Sequence, residues 1–452
     1  MPGQSEEVVA LVVGQAQGPG QRGEQLRRRP AAAPLFEAHD VVDRHPRQHR
    51  HLLPAQAGGP PARPRRDADL GRADRVPPAT QEVRELFTLH PAMVPVGRPP
   101  DQGAPLPRST LRSRYGPTRR TLAPMQTRTL GTTGPSVSAL GLGAMSMSGS
   151  YGHADRAEAV ATVHAALDAG VTLIDTGDFY GMGHNELLLA EALRGRDRDG
   201  YVLSVKFGGL GGPGLPPLTQ DCRPVAVKNF LAYSLTRLGV DHVDVYRPAR
   251  LDPQVPIEDT VGAISEMIDA GYVRHLGLSE VDAATVRRAH AVHPVADLQI
   301  EYSLISRAVE AEVLPTLREL GIGLTAYGVL ARGLLSGHYE PGKPGDARTR
   351  SPRFSGENLT HNLGLVETLR ALAAERGVTV AQLVIAWVAA QGDDVVPLVG
   401  ARTRERLAEA LPAADLDLGP ADLAAITDAL PAGSARGDRY PSAFMGALGV
   451  GN

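Results

Sequence analysis

Lysine, cysteine and tryptophan are nearly missing from this sequence. Its 452 residues hold three lysines (Lys206, Lys228 and Lys343), one cysteine (Cys222) and one tryptophan. A single cysteine excludes an intrachain disulfide and fits a reducing compartment. No run of about eighteen apolar residues occurs, so composition offers no membrane-spanning helix. The N-terminus lacks the basic, apolar, small-residue order of a secretory signal. The expectation is a cytoplasmic chain without a membrane partner. The scarcity of lysine has a second use. Burial and neighbours tune the pKa of an ammonium far more readily than that of a guanidinium, so a lysine at an interior strand end is informative.

Regular patterning is also missing from the first 124 residues. They hold 19 of the 37 prolines, 19 arginines and 12 acidic residues, a balance of +7, whereas residues 125–452 carry 28 basic and 38 acidic residues, a balance of −10. No helical or strand period persists there beyond one short candidate helix at Gln81–Leu89. Such a stretch buries too little apolar surface to offset its ordering entropy and reads as disordered. An arginine-rich arm can bind nucleic acid, but nothing here interleaves aromatic with basic residues in the way a stacking platform needs. A start codon assigned upstream of the true one, with Met125 as the natural beginning, is the favoured reading. Residues 1–124 are thus expected to be an extension, and residues 125–452 the folded domain.

From Met125 onward, short apolar runs alternate with longer amphipathic ones. Strands are predicted at Val137–Leu142, Thr172–Asp175, Val202–Lys206, Val243–Tyr246, Val273–Leu278, Leu298–Glu301, Gly323–Ala326 and Val395–Val399. A helical pattern follows each, and a long Gly, Pro and Arg-rich loop runs from Gly328 to about Asn362 before a helix at Leu363. Eight β–α units specify the α/β class, and a (β/α)8 TIM barrel accommodates them. A doubly wound open sheet is the alternative. Gly141-Leu-Gly-Ala-Met-Ser approaches its phosphate turn but lacks the third glycine.

A barrel gathers its functional residues at the carboxyl ends of its strands. Asp175 ends the second predicted strand, Tyr180 lies in the loop after it, and Lys206 ends the third. A phenol alone is a weak acid at neutral pH. A nearby ammonium favours its ionised form, and a carboxylate holds that ammonium charged. The trio suits proton donation to a carbonyl under reduction. Gly400-Ala-Arg-Thr-Arg-Glu-Arg opens the last helix, with Arg402 and Arg406 four residues apart, and suits a phosphate. Ser279 and Gln299 can hydrogen-bond an amide, and Tyr327 can stack on a flat ring. His153, His184 and His242 have no spacing that suggests a metal, and none is expected.

These motifs together resemble the aldo-keto reductases, NADPH-dependent carbonyl reductases built on a (β/α)8 barrel. The stretch Asp-Thr-Gly-Asp-Phe-Tyr-Gly from Asp175 is similar to the family signature Asp-Thr-Ala-x-x-Tyr-Gly. The resemblance implies Tyr180 as the acid–base residue, with Asp175 and Lys206 beside it. It implies NADPH/NADP+ as coenzyme and a small-molecule carbonyl as substrate. Gly-Leu-Ser at 277–279 and Leu-Gln at 298–299 resemble the contacts to the nicotinamide carboxamide. The stretch from Ala326 to Gly337 resembles Tyr-Ser-Pro-Leu-x-x-Gly-Leu-Leu, implying Tyr327 on the nicotinamide and Gly328, Leu330 and Arg332 along the pyrophosphate. Gly143, Met145 and Gly400 complete the implied coenzyme site, with Arg402 and Arg406 on the 2′-phosphate.

Two positions depart from the family pattern. Glu280 follows Ser279 where an Asn is common, and Ala249 stands where Gln-His-Arg-x-Asp-Pro places a histidine. Losing that hydrogen-bond donor costs a few kcal/mol of transition-state stabilisation unless Arg247, Arg250 or water substitutes for it. A coenzyme-binding regulatory subunit with little turnover is therefore the second reading.

Overall fold

The computed structural model describes residues 125–451, apart from 217–218, 344–345 and 447. The expectations for residues 1–124, including the helix at 81–89, lie outside the described residues.

Strands β1 (Thr127–Thr129) and β2 (Ser136–Ser138) form an antiparallel hairpin. Eight parallel strands follow: β3 (Gly141–Gly143), β4 (Leu173–Gly177), β5 (Val202–Phe207), β6 (Val243–Pro248), β7 (Val273–Ser279), β8 (Val295–Glu301), β9 (Gly323–Tyr327) and β10 (Val395–Gly400). They pair in chain order, and β10 closes the ring by pairing with both β3 and β9. The ring has no edge strand, which excludes the open doubly wound sheet. All residues of β4 and β8 are buried. Helices cover their outer face and side chains fill the inner one, so such strands read as continuous apolar runs rather than alternating ones.

Local chemistry fixes the helix ends. Asp155 caps the helix Arg156–Asp168 by accepting from the Glu158 N–H at 2.7 Å. Thr379 and Gln382 form a reciprocal capping box on Val380–Ala389. Leu130 from the hairpin packs with Val137, Leu173, Val396 and Leu398 at the amino end of the barrel. That end is filled by apolar packing, which leaves the carboxyl end for chemistry.

Several boundaries differ from expectation, β8 beginning at Val295 rather than Leu298 among them, and two of the differences have a visible cause. The run Val137–Leu142 is not one strand. Its first half belongs to the hairpin, and Ser138 Oγ donates to Leu140 O at 2.6 Å across a bend before the barrel strand begins at Gly141. The loop after Tyr327 contains short 3-10 turns at Ala331–Ser336, Ala347–Arg350 and Pro352–Phe354, and its helix begins at Gly356 rather than Leu363. The first turns of that helix are polar because they serve the C-terminal tail. Asn362 Nδ2 donates to Arg436 O at 2.9 Å, and a His361 ring nitrogen lies 2.8 Å from Ser434 O. An apolar period cannot reveal a face of that kind.

After the helix Pro420–Ala429 the tail returns to the carboxyl face of the barrel. Gly449 N donates to Glu280 O at 3.0 Å. A Cβ on Gly449 would lie 2.3 Å from the Val281 carbonyl carbon, so only glycine permits this approach.

Candidate active site

Strand register sets the polar residues of the barrel mouth. Asp175 pairs with Gly143 and Ser204, Lys206 with Gly177 and Arg247, and Ser279 with Gln299. The third residue of β4 and the fifth of β5 therefore meet above the barrel interior. Lys206 Nζ donates to Asp175 Oδ1 in a buried ion pair. Ser204 Oγ and Gln299 Nε2 each donate to Asp175 Oδ2 at 2.8 Å. Asp175 is thus held on both oxygens, and its partners come from two further strands, β5 and β8.

Below this pair lies a second polar layer. Arg247 Nη2 donates to both oxygens of Asp297, at 2.8 and 2.9 Å, and Thr325 Oγ1 donates to Asp297 Oδ2. Both ions are fully buried. Burial pushes the Asp297 carboxyl up while the Arg247 guanidinium opposes the rise. Arg247 Nη1 reaches within 3.7 Å of Asp175 Oδ2. Burial also pushes the Lys206 ammonium down, Asp175 opposes this, and Arg247 adds to it.

Tyr180 sits above the pair, with Lys206 Nζ 5.1 Å from its ring centroid and Phe179 edge-on at 4.9 Å. Its phenol is not lowered, contrary to what the proximity of an ammonium suggests. Burial pushes it well above its ordinary value, Asp175 adds to the rise, and Arg250 is the cation that opposes it.

All the residues singled out for chemistry line one cavity of about 540 Å3. Gly143, Met145, Asp175, Tyr180 and Lys206 lie on its first side. Ser279, Gln299, Tyr327, Gly328, Leu330 and Arg332 follow along the mouth, and Gly400, Arg402 and Arg406 mark its far end. Ser279 Oγ and Arg332 Nη2 are buried there without a hydrogen-bond partner. Arg402 makes only long contacts, 3.4 Å from Nη1 to the carbonyls of Tyr151 and Gly152. Arg406 donates to Glu409 at 3.0 Å.

The sequence motifs do not include the part played by the tail. Tyr440 lines the same cavity, its hydroxyl 3.3 Å from that of Tyr327, and the Arg332 guanidinium lies 4.1 Å from its ring centroid. Tyr327 OH donates to Glu280 Oε1 at 2.7 Å, and Arg439 donates to both Glu280 oxygens at 3.3 Å. Glu280 itself has a left-handed backbone with φ of 52°, a strained state for a side chain this long. The tail is aperiodic, so no pattern announces these contacts. Its Arg-Gly-Asp-Arg-Tyr-Pro run is the one local signal of a built loop.

The model of the aldo/keto reductase family matches residues 139–431, well over half of the chain. The chain belongs to this family. Its curated relatives include the probable aldo-keto reductase 1 of Glycine max, 38% identical over 323 residues, which span 71% of this chain and 93% of that protein. Among solved structures, a glycerol dehydrogenase from Gluconobacter oxydans superposes with a TM-score of 0.62 at 28% identity, over 67% of this chain and 94% of its own. The holo form of an aldo-keto reductase from Bacillus halodurans gives 0.58 at 26%, over 68% and 97%. The protein is therefore an oxidoreductase of a family that works with NAD(P)H on small-molecule carbonyl compounds. The residues of this aldo-keto reductase fit such a coenzyme. The unpartnered Ser279 hydroxyl suits a carboxamide, the unpartnered Arg332 nitrogen suits a pyrophosphate, and both line the same cavity. Among the described residues, no single helix is long and apolar enough to cross a membrane.

Proposed function

We propose that this reductase uses NADPH to reduce an aldehyde or ketone to an alcohol, with Tyr180 as the general acid. The observation that carries the reading is the Lys206–Asp175 ion pair placed beneath a half-buried Tyr180 in a cavity that also holds Ser279 and Gln299. When bound, the coenzyme supplies a hydride to the carbonyl carbon. Every other task falls to the chain. Ser279 and Gln299 hold the carboxamide, and Tyr327 covers the ring face. Arg402, which has no close partner, meets the 2′-phosphate.

The raised phenol fits this role. Tyr180 stays protonated throughout the working pH range, so the proton is always in place. The carbonyl oxygen becomes a far stronger base than a phenolate as it takes on charge, and proton transfer is then downhill. Lys206 and Arg250 stabilise the phenolate left behind. Donation of this kind contributes about 10²- to 10⁴-fold. Asp175 keeps Lys206 charged against its burial.

The test is the loss of NADPH absorbance by the full chain with a panel of aldehydes and ketones. Turnover with a preference for NADPH over NADH is the expected result. Tight NADPH binding with no turnover across the panel would instead support the coenzyme-binding subunit, the reading that Ala249 favours.

A further inference from the structure

Arg250 follows Ala249 just beyond the end of β6 and lines the cavity beside Tyr180. Its Nη1 donates backwards to Ala249 O at 2.6 Å, and its Nε is buried with no partner. The Nε–Nη2 edge is the side of a guanidinium that grips a carboxylate with two parallel hydrogen bonds. Among the described residues that edge engages nothing.

The neighbouring charges sharpen the point. Lys206 is paired with Asp175, and Arg247 is sealed in the barrel by Asp297. Glu280 lies within electrostatic reach of Arg250, but its two oxygens already serve Arg439, Tyr327 OH and the Glu301 N–H. Arg332 and Arg402 are turned to the coenzyme side, against Tyr440 and the Tyr151–Gly152 carbonyls. Arg250 is therefore the cation on the catalytic side of the cavity that has electrostatic support from Glu280 but, among the described residues, no carboxylate hydrogen-bonded to its Nε–Nη2 edge. The Ala249 methyl lines the same cavity as that cation and Tyr180. Phe179, Met182 and Leu210 add apolar lining to the same cavity.

We propose that Arg250 is the substrate-positioning residue of this site and that it selects carbonyl compounds bearing a carboxylate next to the carbonyl, the 2-oxo acids. The proposal rests on the reductase reading above and names its substrate class. The Arg250 fork takes the carboxylate, which turns the neighbouring carbonyl oxygen toward Tyr180. The apolar lining takes the remainder of the substrate. The carbonyl carbon accepts hydride from NADPH, the oxygen takes the Tyr180 proton, and the carboxylate is unchanged. The products are a 2-hydroxy acid and NADP+, and Tyr180 recovers its proton from water.

The experiment compares kcat and KM of the full chain for 2-oxo acids and for neutral aldehydes and ketones of matched size. Arg250→Met and Arg250→Lys are measured alongside, with NADPH affinity by fluorescence and thermal unfolding as controls for an intact site. The expected result is a preference for the 2-oxo acids. In Arg250→Met, kcat/KM for them falls roughly 10- to 100-fold, mostly through KM, the effect of losing charge-assisted hydrogen bonds. The neutral compounds lose less. Arg250→Lys keeps the charge without the fork and falls between. Turnover of neutral carbonyls with no preference for 2-oxo acids overturns the proposal and leaves the reductase reading standing. So does an equal loss on both classes in Arg250→Met. No turnover of either class, with NADPH still bound, overturns both readings.

Discussion

The guanidinium of Arg439 reaches back from the C-terminal tail to lie 3.3 Å from each oxygen of Glu280, at the position after Ser279. Both residues are almost wholly buried, and Arg439 also approaches Glu301 at 3.5 Å. The charges of Arg439 and Arg250 hold the Glu280 carboxyl below its ordinary value against its burial. Arg439→Met leaves two carboxylates buried with one cation fewer. Breaking a buried pair from one side costs about 3–5 kcal/mol. The predicted result is a large drop in the urea midpoint and weaker NADPH binding, with part of the stability recovered in Arg439→Met/Glu280→Gln. A single variant as stable as the parent would show that the tail does not anchor the mouth.

Tyr180 is the second point of test. Tyr180→Phe keeps the ring and its edge-on contact with Phe179 and removes only the hydroxyl proposed to donate the proton. The variant should bind NADPH as the parent does and lose about 10²- to 10⁴-fold in kcat. Near-normal turnover would take the phenol out of the reaction.

The barrel was legible in the sequence because its strands are buried on both faces. Buried strands such as β4 and β8 carry unbroken apolar runs, and Gly and polar loops punctuate them. Asp175, Tyr180 and Lys206 were legible for a related reason. Polar residues at the ends of such runs stand out, and strand ends converge in a barrel. The short first strand was not legible, since Ser138 and Leu140 close a bend that leaves the apolar run intact. Nor was the tail, whose contacts with Glu280 and Tyr327 depend on chain reversal rather than on any period. The direction of the Tyr180 shift also escaped. It follows first from the desolvation of the phenol in the cavity, to which Asp175 adds, and neither depth nor distance can be read from a motif.

Arg247 and Asp297 give a third prediction. Gly277 leaves the space they occupy, because a Cβ there would stand 2.7 Å from Arg247 Nε and 2.7 Å from Asp297 Oδ1. Gly277→Ala should therefore lower stability by about 1–3 kcal/mol through overpacking. Arg247→Met should cost more, about 3–5 kcal/mol, because it strands a buried carboxylate. Replacing both ions, as Arg247→Met/Asp297→Leu, should recover much of that loss. Unfolding curves for these variants and the parent check this. A double variant no more stable than Arg247→Met would mean that the stranded charge is not the cause.

Asp178 gives a prediction in pH. It lies in the turn after β4, 7% exposed, and its N–H donates to Lys206 O at 2.9 Å. The N–H groups of Gly208 and Phe179 favour its ionised form, but neither carboxyl oxygen closes a well-formed hydrogen bond. Burial, reinforced by Glu186 and opposed by Arg237, pushes its carboxyl up to about 7. The unfolded chain releases this proton near the ordinary carboxyl value, while the folded chain keeps it. Between roughly pH 4 and pH 7 the folded state thus binds more protons, and stability from this group falls as pH rises through that window. The full effect is on the order of a few kcal/mol. Asp178→Asn mimics the protonated form and should flatten this part of the profile, gaining on the parent as pH rises from about 5 to about 8. Glu186 is also raised by burial and is present in both proteins, so the difference between their urea midpoints reports Asp178 together with its coupling to Glu186. Parallel profiles across that range would mean that Asp178 ionises in the fold as freely as it does in water.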